Sequence, residues 1–107
     1  MISFFFYNKL TNIELIKKIN NNFKIDDGYI LIQNYDSKNN LLEICDKSIN
    51  NKLLCGKIVN FNMDLYDILK KINEIEECKF ENRIKYTIKT IWANKIGGGK
   101  YKTYIIY

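Results

Sequence analysis

Glu76 is the residue in this chain whose position asks for a chemical explanation. The run 62–90 reads NMDLYDILKKINEIEECKFENRIKYTIKT, and its apolar residues Leu65, Ile68, Leu69, Ile72 and Ile75 recur at the spacing of one buried helical stripe. At about 100° per residue, Glu76 falls roughly 20° from Leu65 and about 40° from Ile72, near the middle of that stripe. Glu74 and Glu77 point away from it. Desolvation and the negative end of a helix both disfavour an ionised carboxylate in such a place. A carboxyl group held toward its neutral form near pH 7 can take and return protons, which makes Glu76 the candidate general acid/base.

Other chemistries are narrowed by what the chain lacks. It has no histidine, and Cys45, Cys55 and Cys78 form no CxxC pair, so a zinc site is not expected and a histidine-based triad is excluded. The odd cysteine count suits a reducing compartment. The opening MISFFFYNKL has no cationic n-region, its apolar run is too short for a secretory signal, and no segment reaches the length of a membrane span. A cytoplasmic protein without membrane association is the expectation.

The chain has 107 residues, 47% of them hydrophobic, enough for one packed domain (1–107) with one core. Its net charge of +5 is spread without a block of like charges. That balance permits acidic ligands or nucleic acid and requires neither. Tyrosines alternate with lysines in KYTIKT and KYKTYIIY, which exposed could stack bases but reads first as a half-buried strand with a solvated lysine face. The aromatic motifs of the sheet-type RNA binders are absent, and the expectation is against a nucleic-acid role.

The elements that would position Glu76 can be read in order. Ile2 to Tyr7 is a continuous apolar run, a strand buried on both faces. Thr11-Asn12-Ile13-Glu14 has the form of a capping box opening a helix over 12–20, with Ile13, Ile16 and Ile19 inward. Asp26-Asp27-Gly28 reads as a turn into a strand over 29–35, and 36–40 as a second turn before a short strand over 41–45. A polar loop over 46–52 precedes a strand over 53–61, and Asn62 is the expected cap of the Glu76 helix. Beyond it, 83–92 alternates, with Ile84, Tyr86, Ile88 and Trp92 on one face. Gly97-Gly98-Gly99 then turns the chain into a last strand over 100–107; a phosphate loop is not indicated, because no helix and no Lys-Ser/Thr ending follow. The expected class is α+β: a mixed curled sheet or small barrel of about six strands with two helices.

Two stretches, taken together, carry a resemblance. FFFYNKL (4–10) resembles the strand-loop entry Tyr-Gly-Ser/Thr-Leu of the gamma-glutamylcyclotransferase-like superfamily. INEIEECKFENRIKYTI (72–88) resembles that superfamily's Leu-Asp-x-x-Glu-Gly, followed by Tyr-Arg and a valine-rich strand. Ile72-Asn73 stand at Leu-Asp, Glu76 at the glutamate and Arg83 at the arginine, while Leu54-Cys55-Gly56-Lys57-Ile58 is similar to the glycine-containing strand before the second helix. Order and length are similar to the short gamma-glutamylamine cyclotransferase and AIG2-like members. The chain departs at Asn8 and Lys9 for Gly and Ser/Thr, at Glu77 for Gly and at Asn82 for Tyr. Asparagine is among the least penalised residues at positive φ, so the loop shape is expected to survive.

The resemblance implies an enzyme that releases 5-oxoproline from a gamma-glutamyl amine or amino acid, with Glu76 as general acid/base and no cofactor or metal. It implies that the amides of Tyr7, Asn8, Lys9 and Leu10 hold the substrate, that Arg83 supports the site, and that Tyr104 or Tyr107 line the pocket from the last strand. Two rivals stand beside it: a non-catalytic small-molecule- or protein-binding member of the same fold, and a basic single-stranded nucleic-acid binder.

Overall fold

The first strand sets the architecture, because its side chains are apolar on both sides. In the computed structural model, which describes residues 1–32, 34–36, 41–43, 52–75 and 88–106, β1 spans Ile2–Phe6 and alternates between two cores. Phe4 and Phe6 belong to one buried cluster and Phe5 with Tyr7 to another. A strand that feeds two cores must have packed layers on both sides.

The chain continues through a 3-10 turn at Lys9–Thr11, α1 (Ile13–Ile19), β2 (Phe23–Ile32), β3 (Asn34–Asp36), β4 (Leu41–Glu43), β5 (Lys52–Phe61), α2 (Leu65–Glu74), β6 (Ile88–Lys95) and β7 (Lys100–Ile106). Five strands close a barrel in the order β1-β5-β2-β6-β7, and β3 with β4 forms a separate two-stranded ribbon. All ladders are antiparallel except the one that closes the barrel, where β1 runs parallel to β7 through Phe4 and Tyr104. The class is α+β with two helices, and the barrel has five strands where the sequence suggested about six.

The barrel interior is filled by Phe5, Tyr7, Ile30, Ile32, Ile58, Ala93 and Ile105, drawn from all five strands. The second cluster lies outside the barrel wall, where Phe4, Phe6, Val59, Phe61 and Ile106 meet Leu10, Leu15, Ile16, Ile19, Ile68, Ile72 and Ile75. The stripe expected on α2 therefore exists, with Ile68 and Ile72 fully buried. On α1 the inward residues are Leu15, Ile16 and Ile19; Ile13, in the first helical position, is 46% exposed.

Several local signals resolve differently from the sequence reading. Asp26-Asp27-Gly28 is not a turn but the middle of the ten-residue β2, paired along its length with β5. Gly28 faces Gly56 across that ladder. A Cβ on Gly28 would lie 2.6 Å from Ile58 Cδ1 and 2.9 Å from the Asn94 carbonyl oxygen, and one on Gly56 would lie 2.7 Å from the Phe5 ring and collide with the Phe6 carbonyl. These glycines serve close approach of four strands, β1, β2, β5 and β6, not a reversal of the chain. The two aspartates find partners instead, Asp26 at 3.6 Å from Lys95 and Asp27 on Lys57.

The helix caps also shift. Asn12, not Thr11, caps α1 by accepting from the Glu14 N–H, while the Thr11 hydroxyl donates back to the Asn8 carbonyl. Asp64, not Asn62, caps α2 by accepting from the Asp67 N–H. Gly97, Gly98 and Gly99 turn β6 into β7 as expected, each with φ near +100°. The expected turn over 36–40, the loop over 46–51 and the segment 83–87 lie wholly or mostly outside the described residues.

Candidate functional site

α2 closes with Ile75 in an extended conformation, φ −79° and ψ 117°, after Glu74 as its last helical residue. The helical phase that carried Leu65 through Ile72 into the core therefore stops before Glu76. Glu76 itself lies outside the described residues, as do Arg83 and Tyr107. Ile75 is 5% exposed and belongs to the outer cluster that also contains Phe6 and Leu10. The residue that precedes Glu76 is thus anchored in the same packed layer as the end of β1 and the loop that follows it.

That loop is built from its own side chains. Asn8, at φ −121°, accepts from the Leu10 N–H through Oδ1 at 3.1 Å, and its carbonyl accepts from the Thr11 N–H at 3.0 Å. No left-handed residue is required here, so asparagine adopts this backbone without strain. The Asn12 N–H donates to the Lys9 carbonyl at 3.1 Å. Of the four amides expected to hold a substrate, the Leu10 amide is already occupied. The Leu10 side chain is buried against the helices, and the Lys9 side chain is exposed.

Tyr7 is 9% exposed, packs parallel to Phe5 with ring centres 6.4 Å apart and donates its hydroxyl to the Ile106 carbonyl at 3.0 Å. It ties the end of β1 to the end of β7. Tyr104 is half-buried, its ring 5.7 Å from Phe4. It lines a cleft of about 310 Å³ with Met1, Ile2, Ser3, Thr90, Lys102 and Thr103. This cleft opens where the first residues of β1 part from β7, since the two strands pair through a single residue pair. It sits at the start of β1, whereas the loop over 7–10 sits at its end, about 15 Å away along an extended strand.

Two hydroxyls at the cleft are already satisfied. The Ser3 hydroxyl donates to Asn60 Oδ1, and the buried Thr103 hydroxyl donates to the Ile91 carbonyl at 3.0 Å. Among the described residues no group of three or more Cys, Asp or Glu side chains is placed to hold a metal ion, and no helix is long and apolar enough to cross a membrane. Cys55 is an exposed free thiol on the outer face of β5.

The sequence reading takes the Tyr/Lys alternation of the last strand as one that could stack bases, but sets Trp92 with the apolar face of 83–92 and so does not join the two on the exposed face of β6 and β7. Trp92 is 59% exposed directly across from Lys102, and Asn94 pairs with Lys100 on the same face. The available signal was the composition of the last twenty residues, which include four lysines and no acid. Compared with protein-family models, with curated proteins and with solved structures, the chain finds no match.

Proposed function

We propose that this chain is a gamma-glutamyl cyclotransferase-type enzyme in which Glu76 is the general acid/base. The reading rests on the order of the motifs it resembles. The single structural observation that supports it is the burial of Ile75 in the layer shared by Phe6 and Leu10, which tethers the backbone just before Glu76 to the layer that anchors the loop. A mixed barrel carrying two helices on one side agrees with it in kind.

In this chemistry the substrate's α-amine attacks its own γ-carbonyl. The amine–carbon bond forms as the ring closes, the carbon–nitrogen bond to the leaving amine breaks, and 5-oxoproline departs. Glu76 takes one proton from the α-ammonium and gives it to the leaving nitrogen. It then takes the second from the ring nitrogen and passes it to the departing amine, which leaves as its ammonium, so no net proton is consumed by the enzyme. Both reacting groups belong to one molecule, and holding it folded supplies much of the acceleration. Amides of the loop over 7–10 would hold the substrate's α-carboxylate or the developing oxyanion, with the Lys9 charge beside them.

One observation favours a second reading, a non-catalytic binding member of the same fold. Asn8 Oδ1 occupies the Leu10 amide, which leaves fewer donors for an oxyanion. Incubation with a panel of gamma-glutamyl amines and dipeptides, read by release of 5-oxoproline, separates the two. Turnover is expected, and Glu76→Gln should remove it while the circular dichroism spectrum is unchanged. Undiminished turnover in that variant sinks the assignment of Glu76; no turnover across the panel favours the binding reading.

A further inference from the structure

We propose that the outer face of the β6–β7 hairpin is a binding surface for single-stranded nucleic acid, independent of the site around Glu76. The face is built by cross-strand pairs: Trp92 opposite Lys102 and Asn94 opposite Lys100, with Tyr29 of β2 beside Asn94. Both lysines are exposed, and among the described residues neither makes an ion pair. Asp27, on the same outer side of β2, is paired with Lys57.

Three properties match one occupant. An indole exposed on a sheet face offers a flat surface on which a base can stack, and stacking of this kind is tolerant of sequence. Lys102 opposite and Lys100 diagonal to that indole, neither in an ion pair among the described residues, lie on the neighbouring strand, along which a sugar-phosphate backbone would run. The cleft lined by Ser3, Thr90, Lys102 and Tyr104 continues from Lys102, and its volume of about 310 Å³ can receive part of a nucleotide next to the one stacked on Trp92. A protein partner would be favoured by a larger aliphatic area, but the exposed aliphatic groups near the lysines are Met1, on the cleft, and Ile96, at the hairpin tip, while the paired Leu31 and Leu53 lie toward β5. Charge and stacking surface coincide on this face.

At the tip, Gly97 and Gly98 have nothing within 4 Å of where a Cβ would sit. Their backbone is open to a neighbouring chain on this end of the hairpin.

The chain has one tryptophan, so its fluorescence reports on this face alone. Titration with a fifteen-residue oligothymidylate and a fifteen-residue oligouridylate at 0.1 M salt should quench Trp92 in a saturable way. With two phosphate contacts, the logarithm of the binding constant should fall with the logarithm of salt at a slope of about −1.4. Lys100→Ala with Lys102→Ala should weaken binding about 10-fold and flatten that slope, whereas Lys17→Ala with Lys70→Ala, on the two helices, should leave both unchanged. Followed by fluorescence anisotropy of a labelled oligonucleotide, Trp92→Ala should weaken binding about 10-fold and Trp92→Phe should restore most of it.

Absence of quenching at saturating oligonucleotide overturns the proposal. So does binding that Trp92→Ala leaves intact or that inorganic polyphosphate, which has no bases, matches in affinity. Concentration-dependent quenching without nucleic acid, accompanied by dimer formation in sedimentation, would identify the occupant as a second copy of the chain and equally overturn it. None of these outcomes depends on cyclotransferase activity.

Discussion

Along β5 the chain passes between two environments without changing face. Val59 and Phe61 point outward from the barrel and are fully buried beneath the helices, while Leu53, three pairs back on the same side, is 62% exposed and Cys55 is open to solvent. The β6–β7 hairpin repeats the contrast. Ile88 and Ile106, paired at its base, pack into the outer cluster, whereas Trp92 and Lys102 stand bare. Among the described residues, two short helices cover the part of the outer wall around Phe4, Phe6, Val59 and Phe61 and do not cover Leu53, Cys55 or Trp92. Alternation along a strand tells which side faces the barrel interior; it says nothing about where the helical cover ends.

The contrast can be tested where it should be largest. Phe61→Ala removes a fully buried ring from the covered part and should cost about 3–5 kcal/mol in urea denaturation. Leu53→Ala, on the same strand and face, should change stability by less than about 0.5 kcal/mol. A loss of several kcal/mol at Leu53 would mean that the bare part is covered in solution, and the comparison would fail.

The glycines sharpen it further, because they are needed for different reasons. Gly56→Ala drives a methyl group into the Phe6 carbonyl and the Phe5 ring, and should cost about 3 kcal/mol. Gly98→Ala meets nothing in space but must hold φ near +117°, and should cost about 1–2 kcal/mol. Thermal denaturation of the two variants side by side ranks crowding against backbone conformation; equal costs would contradict the close approach at the Gly28–Gly56 pair.

The smallest effect expected concerns the cover itself. Asp64→Ala should cost about 1 kcal/mol through loss of the α2 cap, while Asn62→Ala should be close to neutral. Chemical denaturation followed by far-ultraviolet circular dichroism distinguishes them, and the reverse order would restore Asn62 as the cap.

Much of the fold was legible because it depends on local periodicity. The stripe Ile68, Ile72 and Ile75, the doubly buried Phe4–Phe6 run and the glycine turn at 97–99 all follow from spacing and composition within a few residues. Caps were missed by one or two positions because Thr11 and Asn12, or Asn62 and Asp64, are comparable acceptors, and only the helix's first turn selects between them. Asp26-Asp27-Gly28 misled for a stronger reason. Its turn chemistry is sound locally, but the choice is made by Gly56, twenty-eight positions later, across a ladder that no local pattern reveals. The helix expected to carry Glu76 closes before it: Ile75 keeps the burial of the stripe while its backbone has already left the helix, and Glu76 itself lies outside the described residues. What remains of the case for Glu76 is the motif order and the anchoring of its neighbour.

The parallel seam between β1 and β7 carries a consequence for how the chain is made. Its two strands lie far apart along the chain, and Phe4 meets Tyr104 only after every residue between them has been synthesised. Until then β1 can pair with β5 on one side, but its other edge, bearing three consecutive phenylalanines, has no native partner. Barrel closure is therefore a late event with a long loop to close, of the kind that slows folding relative to helical domains. A nascent chain stalled before Lys100 would present that edge to any strand it encounters, which makes the last hairpin as much a guard against association as a piece of the wall.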